Sequence, residues 1–279
     1  MLLGAVYALI SVGLTLIWGM MNVLNFAHGE FVTLGMFTAF LAFSFWHTGP
    51  LVFIPLAAIV LFVIGQVVYY ALIRDVMRGP MFAQVLATFG LLLFIRYMLF
   101  WIFSPNYRTL PSTLLGGTAH IDGLYVSYPK LIAALVAIAL TAAVYYLLVR
   151  TQIGSQMLAV AEDREAARLM GIDPDRVQAL AWGISAACAG VAGALLATFY
   201  YISPEVGGTF VLFAFVAVTL GGFGSVPGAM LAGPIIGVVQ VATGYYTSPQ
   251  FAEIAVFTLF ILVLWLRPQG LLGRSIGGT

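Results

Sequence analysis

Apolar positions along the chain gather into nine runs parted by short polar breaks. The runs cover residues 2–24, 31–46, 51–73, 81–103, 131–149, 177–202, 209–220, 226–246 and 251–266. Most of them approach the ~20 residues that a helix needs to cross a hydrocarbon core about 30 Å thick. In lipid every backbone donor and acceptor must be satisfied inside the protein, which leaves helices or a closed barrel. Barrel strands alternate apolar and polar residues over about ten positions, and these runs do not. The run at 209–220 would make only ~18 Å of helix. It is therefore either a half-helix or the end of a helix that begins inside the preceding loop. The pattern predicts an all-α fold: one polytopic transmembrane helix bundle over residues 1–279, with about eight spanning helices and some broken or half helices.

Composition agrees with that pattern. Hydrophobic residues make up 62% of the 279-residue chain and charged residues 8%, against about 45–50% and about 25% in soluble domains. A net charge of +1 offers no electrostatic footprint for nucleic acid. The single cysteine, Cys188, lies in an apolar, alanine-rich run and reads as a packing residue. The first run exceeds signal-peptide length and lacks a basic leader, so no cleavable signal is expected.

Charge is concentrated in one place. Nine of the chain's 11 basic and 10 acidic residues fall within 150–176: Arg150, Glu162, Asp163, Arg164, Glu165, Arg168, Asp173, Asp175 and Arg176. Within it, residues 156–170 intersperse Met157, Leu158, Ala161, Ala166, Leu169 and Met170 with the charges. They predict a short amphipathic helix stopped by Gly171 and Pro174, suited to docking in a partner's groove. Arg74 with Arg78, the 150–176 segment, and Arg267 with Arg274 hold eight of the 11 basic residues. By the positive-inside rule these three groups face the cytoplasm. The loop at 104–128 and the N-terminus then lie outside.

Three further features interrupt apolar sequence. Asn25-Phe-Ala-His28-Gly29-Glu30 places three polar groups between two runs. It is either an interfacial turn or a broken helix lining a pathway, since polar groups at membrane depth are expensive and usually functional. A proton relay through His28 and Glu30 is a third reading. A metal site is not expected, because no second ligand cluster exists. Gly221-Gly222-Phe-Gly224-Ser225 marks a tight turn before a helix rich in small residues. It lacks the lysine and the preceding strand of a phosphate cradle. Its placement matches that of the 25–30 break, as paired interruptions do in transporters with internal repeats. Arg96, alone among basic residues deep in a run, either pairs with Glu30 or snorkels to an interface. Stripes of small residues, Gly183-Ala187-Gly190-Ala194 and Ala229-Gly233-Gly237, favour close helix packing. No hydrolase, zinc-protease or nucleotide-binding motif is present.

Taken together, GLTLIWGMMNVLNFAHGEFVTLGMF, AEDREAARLMGIDPDRV, and LGGFGSVPGAMLAGPIIG followed by LRPQGLLGR resemble the permeases of branched-chain amino acid ABC importers, and the LivH-type subunit within them. The resemblance covers nearly the whole chain. One departure is that Met1 opens almost inside the first span. The resemblance implies a multi-pass permease of the bacterial inner membrane, paired with a related LivM-like permease. It also implies two cytoplasmic ATPase subunits that bind ATP and Mg, and a periplasmic binding protein that delivers substrate. No cofactor is expected in this chain. Glu162, Asp163, Glu165, Ala166, Ala167, Arg168 and Gly171 match the coupling segment that inserts into the ATPase. Asn25, His28, Glu30 and Arg96 become substrate-path candidates; Gly29, Gly221, Gly222, Gly224 and Ser225 become breaks near the path. The expected function is ATP-driven import of branched-chain or related amino acids by alternating access. A permease for urea or short amides is the alternative within this class. A proton-coupled secondary transporter using His28, Glu30 and Arg96 is the alternative outside it. A membrane-embedded enzyme is disfavoured by the lack of a clustered catalytic set.

Overall fold

Helix α1 (Leu2–Met21) carries no charge and buries most of its side chains. It is enclosed by other helices rather than by lipid. The computed structural model describes residues 2–47, 49–111, 117–121, 124–267 and 269–273. After α1 come α2 (His28–Trp46), α3 (Pro50–Val68), a π turn (Tyr69–Ile73) and the one-turn α4 (Arg74–Val76). Then follow α5 (Met81–Phe103), α6 (Tyr128–Arg150), α7 (Gln152–Glu162), α8 (Arg164–Leu169), α9 (Pro174–Leu196), α10 (Val206–Gly221), α11 (Val226–Tyr246) and α12 (Pro249–Leu266). Among the described residues seven helices are long and apolar enough to cross a membrane, and two shorter apolar helices, Val206–Gly221 and Gln250–Leu266, join them.

Three expected boundaries move. The helix expected from residue 209 begins at Val206 and spans 16 residues, ~24 Å, because three residues of the expected loop continue its first turn. The single amphipathic helix expected over 156–170 is two helices, α7 and α8, parted at Asp163. The 104–128 loop holds a hairpin, β1 (Thr118–Ile121) paired antiparallel with β2 (Leu124–Ser127). Arg274 lies outside the described residues.

Two halves repeat one plan in opposite directions. The chain leaves α1 at Met21, returns through the irregular segment 22–27, and starts α2 inside the bundle. The depth is fixed by His28, whose Nε2 is 2.9 Å from the Ile10 carbonyl oxygen, midway along α1. The chain likewise leaves α9 at Leu196, turns back through 197–205 and starts α10. The first turns of α2 and α10 meet backbone to backbone. A Cβ on Gly29 would lie 2.2 Å from the Gly207 carbonyl oxygen, and one on Gly207 would lie 2.3 Å from that of Gly29. Only glycine permits this approach. The flanking pairs correspond as well. Helix α3 runs antiparallel to α9, with Leu61 beside Gly190, Gly65 beside Gly183, and Tyr69 bonded to Gln178. Helix α11 runs antiparallel to α1, with Gly233 beside Ala8 and Gly224 beside Gly19.

The counterpart of the 25–30 break is therefore 197–205, not the 221–225 turn with which the sequence pattern pairs it. Residues 221–225 form a tight turn at one end of the bundle. Gly222 and Gly224 supply positive φ angles of 103° and 76°, and the Ser225 hydroxyl caps α11 by accepting from the Gly228 N–H at 3.2 Å. The tail closes over this turn, as Leu271 N–H donates to the Leu220 carbonyl and Leu272 N–H to that of Gly221.

Helix α6 joins the halves. Helices α5 and α12 sit at the rim, where Phe82, Phe94, Tyr97, Trp101 and Trp265 are exposed. Such faces suit hydrocarbon, not water. Overpacking costs ~1–3 kcal/mol, so Gly29→Ala is expected to lower the melting temperature of the purified protein. Gly90→Ala on α5, where a Cβ would meet nothing within 4 Å, is expected to leave it unchanged.

Candidate functional site

Two polar regions stand out from the apolar body. The first is buried at the starts of α2 and α10. Asn25, His28 and Glu30 are all inaccessible, so the 25–30 segment is a break within the bundle and not an interfacial turn. His28 Nε2 must donate to the Ile10 carbonyl, which leaves Nδ1 as a bare acceptor. Among the described residues Nδ1 has no partner, nor do Asn25 Oδ1 and Nδ2, Glu30 Oε2, Thr15 Oγ1, Ser185 Oγ and Trp182 Nε1. Each such buried, unpaired polar atom costs ~1–3 kcal/mol.

Arg96 pairs with Glu30 and does not snorkel. Its Nε and Nη2 both donate to Glu30 Oε1, at 3.0 and 2.5 Å. The Glu30 side chain is 1% exposed and that of Arg96 is 24% exposed. Glu30 lies in the first turn of α2, where a carboxylate is favoured by the helix dipole. No hydrogen bond joins His28 to Glu30 or Arg96 among the described residues. The Thr88 hydroxyl donates to the Leu24 carbonyl at 2.9 Å, so the second turn of α5 borders the same break. Of the candidate breaks, Gly29 belongs here. Gly221, Gly222, Gly224 and Ser225 lie at the bundle end.

The second region is the 150–176 segment, which projects as a foot. The Thr151 hydroxyl caps α7 by accepting from the Gly154 N–H at 3.3 Å. Asp163 takes an extended conformation, and its Oδ1 accepts from the N–H groups of Glu165 and Ala166, both at 2.9 Å. Aspartate favours capping over a helix interior, and this is why one expected helix becomes two. Gly171, with φ 82°, ends α8, and the Ile172 N–H donates back to the Ala167 carbonyl at 3.1 Å, as in a Schellman cap. Asp173 and Pro174 then start α9.

Glu162, Glu165, Ala166, Arg168 and Gly171 are exposed, whereas Ala167 is buried beneath them. Glu165 and Arg168 pair with each other at 3.3 Å on the exposed side. Leu169 and Met170 are 88% and 82% exposed. Two apolar side chains thus stand at the tip of a charged foot.

Asp175 braces the foot. Its Oδ2 accepts from Arg74 Nε at 3.1 Å and its Oδ1 from Arg164 Nη2 at 2.5 Å. The Tyr69 hydroxyl, in the π turn, donates to Gln178 Oε1 at 2.8 Å. The basic groups at 74–78 and 150–176 therefore share one end of the bundle. Sequence reasoning missed the roles of Asp175, Arg74, Arg164 and Gly207. The Asp-Pro-Asp run at 173–175 is a local signal for the cap, but nothing local marks the partners.

A family model described as branched-chain amino acid transport system / permease component matches residues 1–264. The chain belongs to this permease family. The permease is 31% identical to the high-affinity branched-chain amino acid transport system permease protein BraD of Pseudomonas aeruginosa, over 97% of this chain and 92% of that one. It is 32% identical to the corresponding protein LivH of Escherichia coli K12, over 98% and 92%. To LivM of Escherichia coli K12 it is 29% identical, over 96% of this chain and 68% of that one. No solved structure matches. A multi-pass membrane permease accounts for the apolar rim and for polar groups held inside the bundle.

Ion pairs that solvent still reaches, as it reaches the half-buried Asp175 pairs, contribute ~0.2–1 kcal/mol each. Asp175→Ala, which removes two of them, is expected to raise amide exchange across residues 164–170 a few-fold while exchange in α1 stays unchanged.

Proposed function

We propose that this permease is the transmembrane subunit of an ATP-driven importer that carries branched-chain or related amino acids into the bacterial cytoplasm by alternating access. The observation that carries this reading is the foot: two capped helices presenting Leu169 and Met170, braced to the body through Asp175. In this reading the foot seats in a groove of a cytoplasmic ATPase subunit, with the two apolar side chains as its plug. Apolar anchors ringed by charges are the usual pattern of such docking. Two ATPase subunits bind ATP and Mg, and this chain binds neither. A second permease of LivM type completes the transmembrane pair. A periplasmic binding protein delivers substrate to the end that carries the hairpin.

The relay of motion follows the packing. Closure of the ATPase pair pulls the foot. The foot is tied by Asp175 to the end of α3–α4 and to the first turn of α9. Helix α9 packs on α1, α2 and α3, so its tilt reaches the Gly29–Gly207 crossing, where the first turns of two helices meet. Rigid bodies rocking about a fixed crossing are the common form of alternating access. Resemblance of the whole chain to BraD and LivH supports the amino-acid substrate class.

Two measurements test this. Leu169→Asp is expected to abolish stimulation of the partner ATPase and to reduce uptake at least about tenfold with normal membrane content, since hot-spot anchors contribute ~2 kcal/mol or more. Normal stimulation would remove the plug assignment. Met170→Cys is expected to react with a membrane-impermeant maleimide from the cytoplasmic side only; Cys188 is buried and leaves a silent background. Labelling from the outer side would reverse the orientation and end the proposal.

A further inference from the structure

The Arg96–Glu30 pair is incompletely used. Arg96 Nε and Nη2 converge on one oxygen of Glu30, and Oε2, although buried, accepts from nothing among the described residues. The guanidinium is about one-quarter exposed in the middle of a helix whose packing on the rest of the bundle is confined mainly to α2 and the α3–α4 end. Guanidinium carries five N–H donors in a planar fork, so a carboxylate can still be taken up beside Glu30. Glycine backbone lies beside the pair. Gly29 and Gly207 touch, and a Cβ on Gly208 would lie 3.3 Å from Arg96 Nη2. The first turns of α2 and α10 converge here, and the dipole of each helix adds positive potential at its start.

We propose that Arg96 and Glu30 form an exchangeable ion pair that passes the main-chain charges of a zwitterionic amino acid through the bundle. Resting on the importer reading, it names the atoms that recognise the substrate class. As substrate arrives, its carboxylate takes the Arg96 fork and its ammonium takes Glu30, so the protein pair parts while every charge keeps an opposite neighbour. A zwitterion entering a low-dielectric path alone would lose its hydration without compensation. The exchange recognises only the groups that all α-amino acids share, which leaves side-chain selection to the binding protein. Urea and short amides, being uncharged, do not require it.

The competing role is a clip that merely holds α5 against α2. The two roles differ in what their loss does. The test uses the assembled importer in proteoliposomes, supplied with its binding protein, L-leucine and internal ATP. Leucine taken up per ATP hydrolysed is measured alongside the melting temperature of the complex. For Glu30→Gln and for Arg96→Gln, uptake per ATP is expected to fall at least about tenfold, the equivalent of ~1.4 kcal/mol. Binding-protein-stimulated hydrolysis should stay within about twofold of wild type. An unchanged ratio overturns the proposal, and so does a parallel loss of stability and hydrolysis, which marks a clip. If the glutamine variants do not assemble, Arg96→Lys keeps the charge and the clip but loses the fork. A lowered ratio in it supports the exchange, and a normal ratio overturns it. A wild-type complex that hydrolyses ATP yet takes up no leucine sinks the substrate reading itself, which separates the two failures.

Discussion

The contact between Gly29 and Gly207 is the constraint on which the rest of the structure depends. It lets two helices begin inside the bundle with their backbones touching, where any side chain would force them apart. The breaks before α2 and α10 exist because these helices start there. Asn25, His28, Glu30 and Ser203 are buried for the same reason. Helices α9 and α1, each running past the crossing, then supply the long surfaces on which α3 and α11 pack. The small-residue stripes follow from this geometry. Gly190 accepts the close approach of α2, where a Cβ on Gly35 would lie 2.2 Å from its carbonyl oxygen. In lipid no hydrophobic force drives helices together, so close backbone packing and internal polar contacts must do so.

Much of this was legible in the residue pattern, and the reason differs by element. Apolar runs locate membrane helices well because the bilayer leaves the backbone few options. The second apolar run and the short run before Gly221 were both placed late, by about three residues. Their true starts carry His28, Gly29 and Glu30, or Gly207 and Gly208, which resemble loop residues. The polar island was evident from charge alone, but its division at Asp163 depends on a cap, and a capping aspartate inside an otherwise helical pattern is easily taken for an ordinary charged position. Scarcity of opposite charge at that depth named Glu30 as the candidate partner of Arg96, but only the structure decides between pairing and snorkelling. The link from Asp175 to Arg74 did not, because it crosses 101 residues of chain and no periodicity reports it.

The relation between the halves shows how sequence and structure part company. Glycine-bearing breaks at 25–30 and 221–225 are similarly placed in the sequence, each between an apolar run and a further helix. One is an opening within the bundle and the other a hairpin turn beneath the tail. What makes 197–205 the true counterpart is direction: α1 descends to its break and α9 ascends to its own. Sequence similarity between oppositely oriented halves is weakened because each faces different neighbours, with α2 against α5 and the 104–111 segment, and α10 against α12 and the tail.

Helix α6 stands outside this correspondence. Four long apolar helices precede it, α1, α2, α3 and α5, and four follow, α9 to α12. Since the second set is upside down relative to the first, a single intervening helix is needed to carry the chain between them. The described residues then hold nine long apolar helices, and Leu2 and the 269–273 segment lie at opposite ends of the molecule. A tandem fusion of two copies, or a circular permutation that closes one, would therefore need an added membrane crossing in its linker, whereas cutting the chain on either side of α6 would separate it into topologically opposite half-molecules.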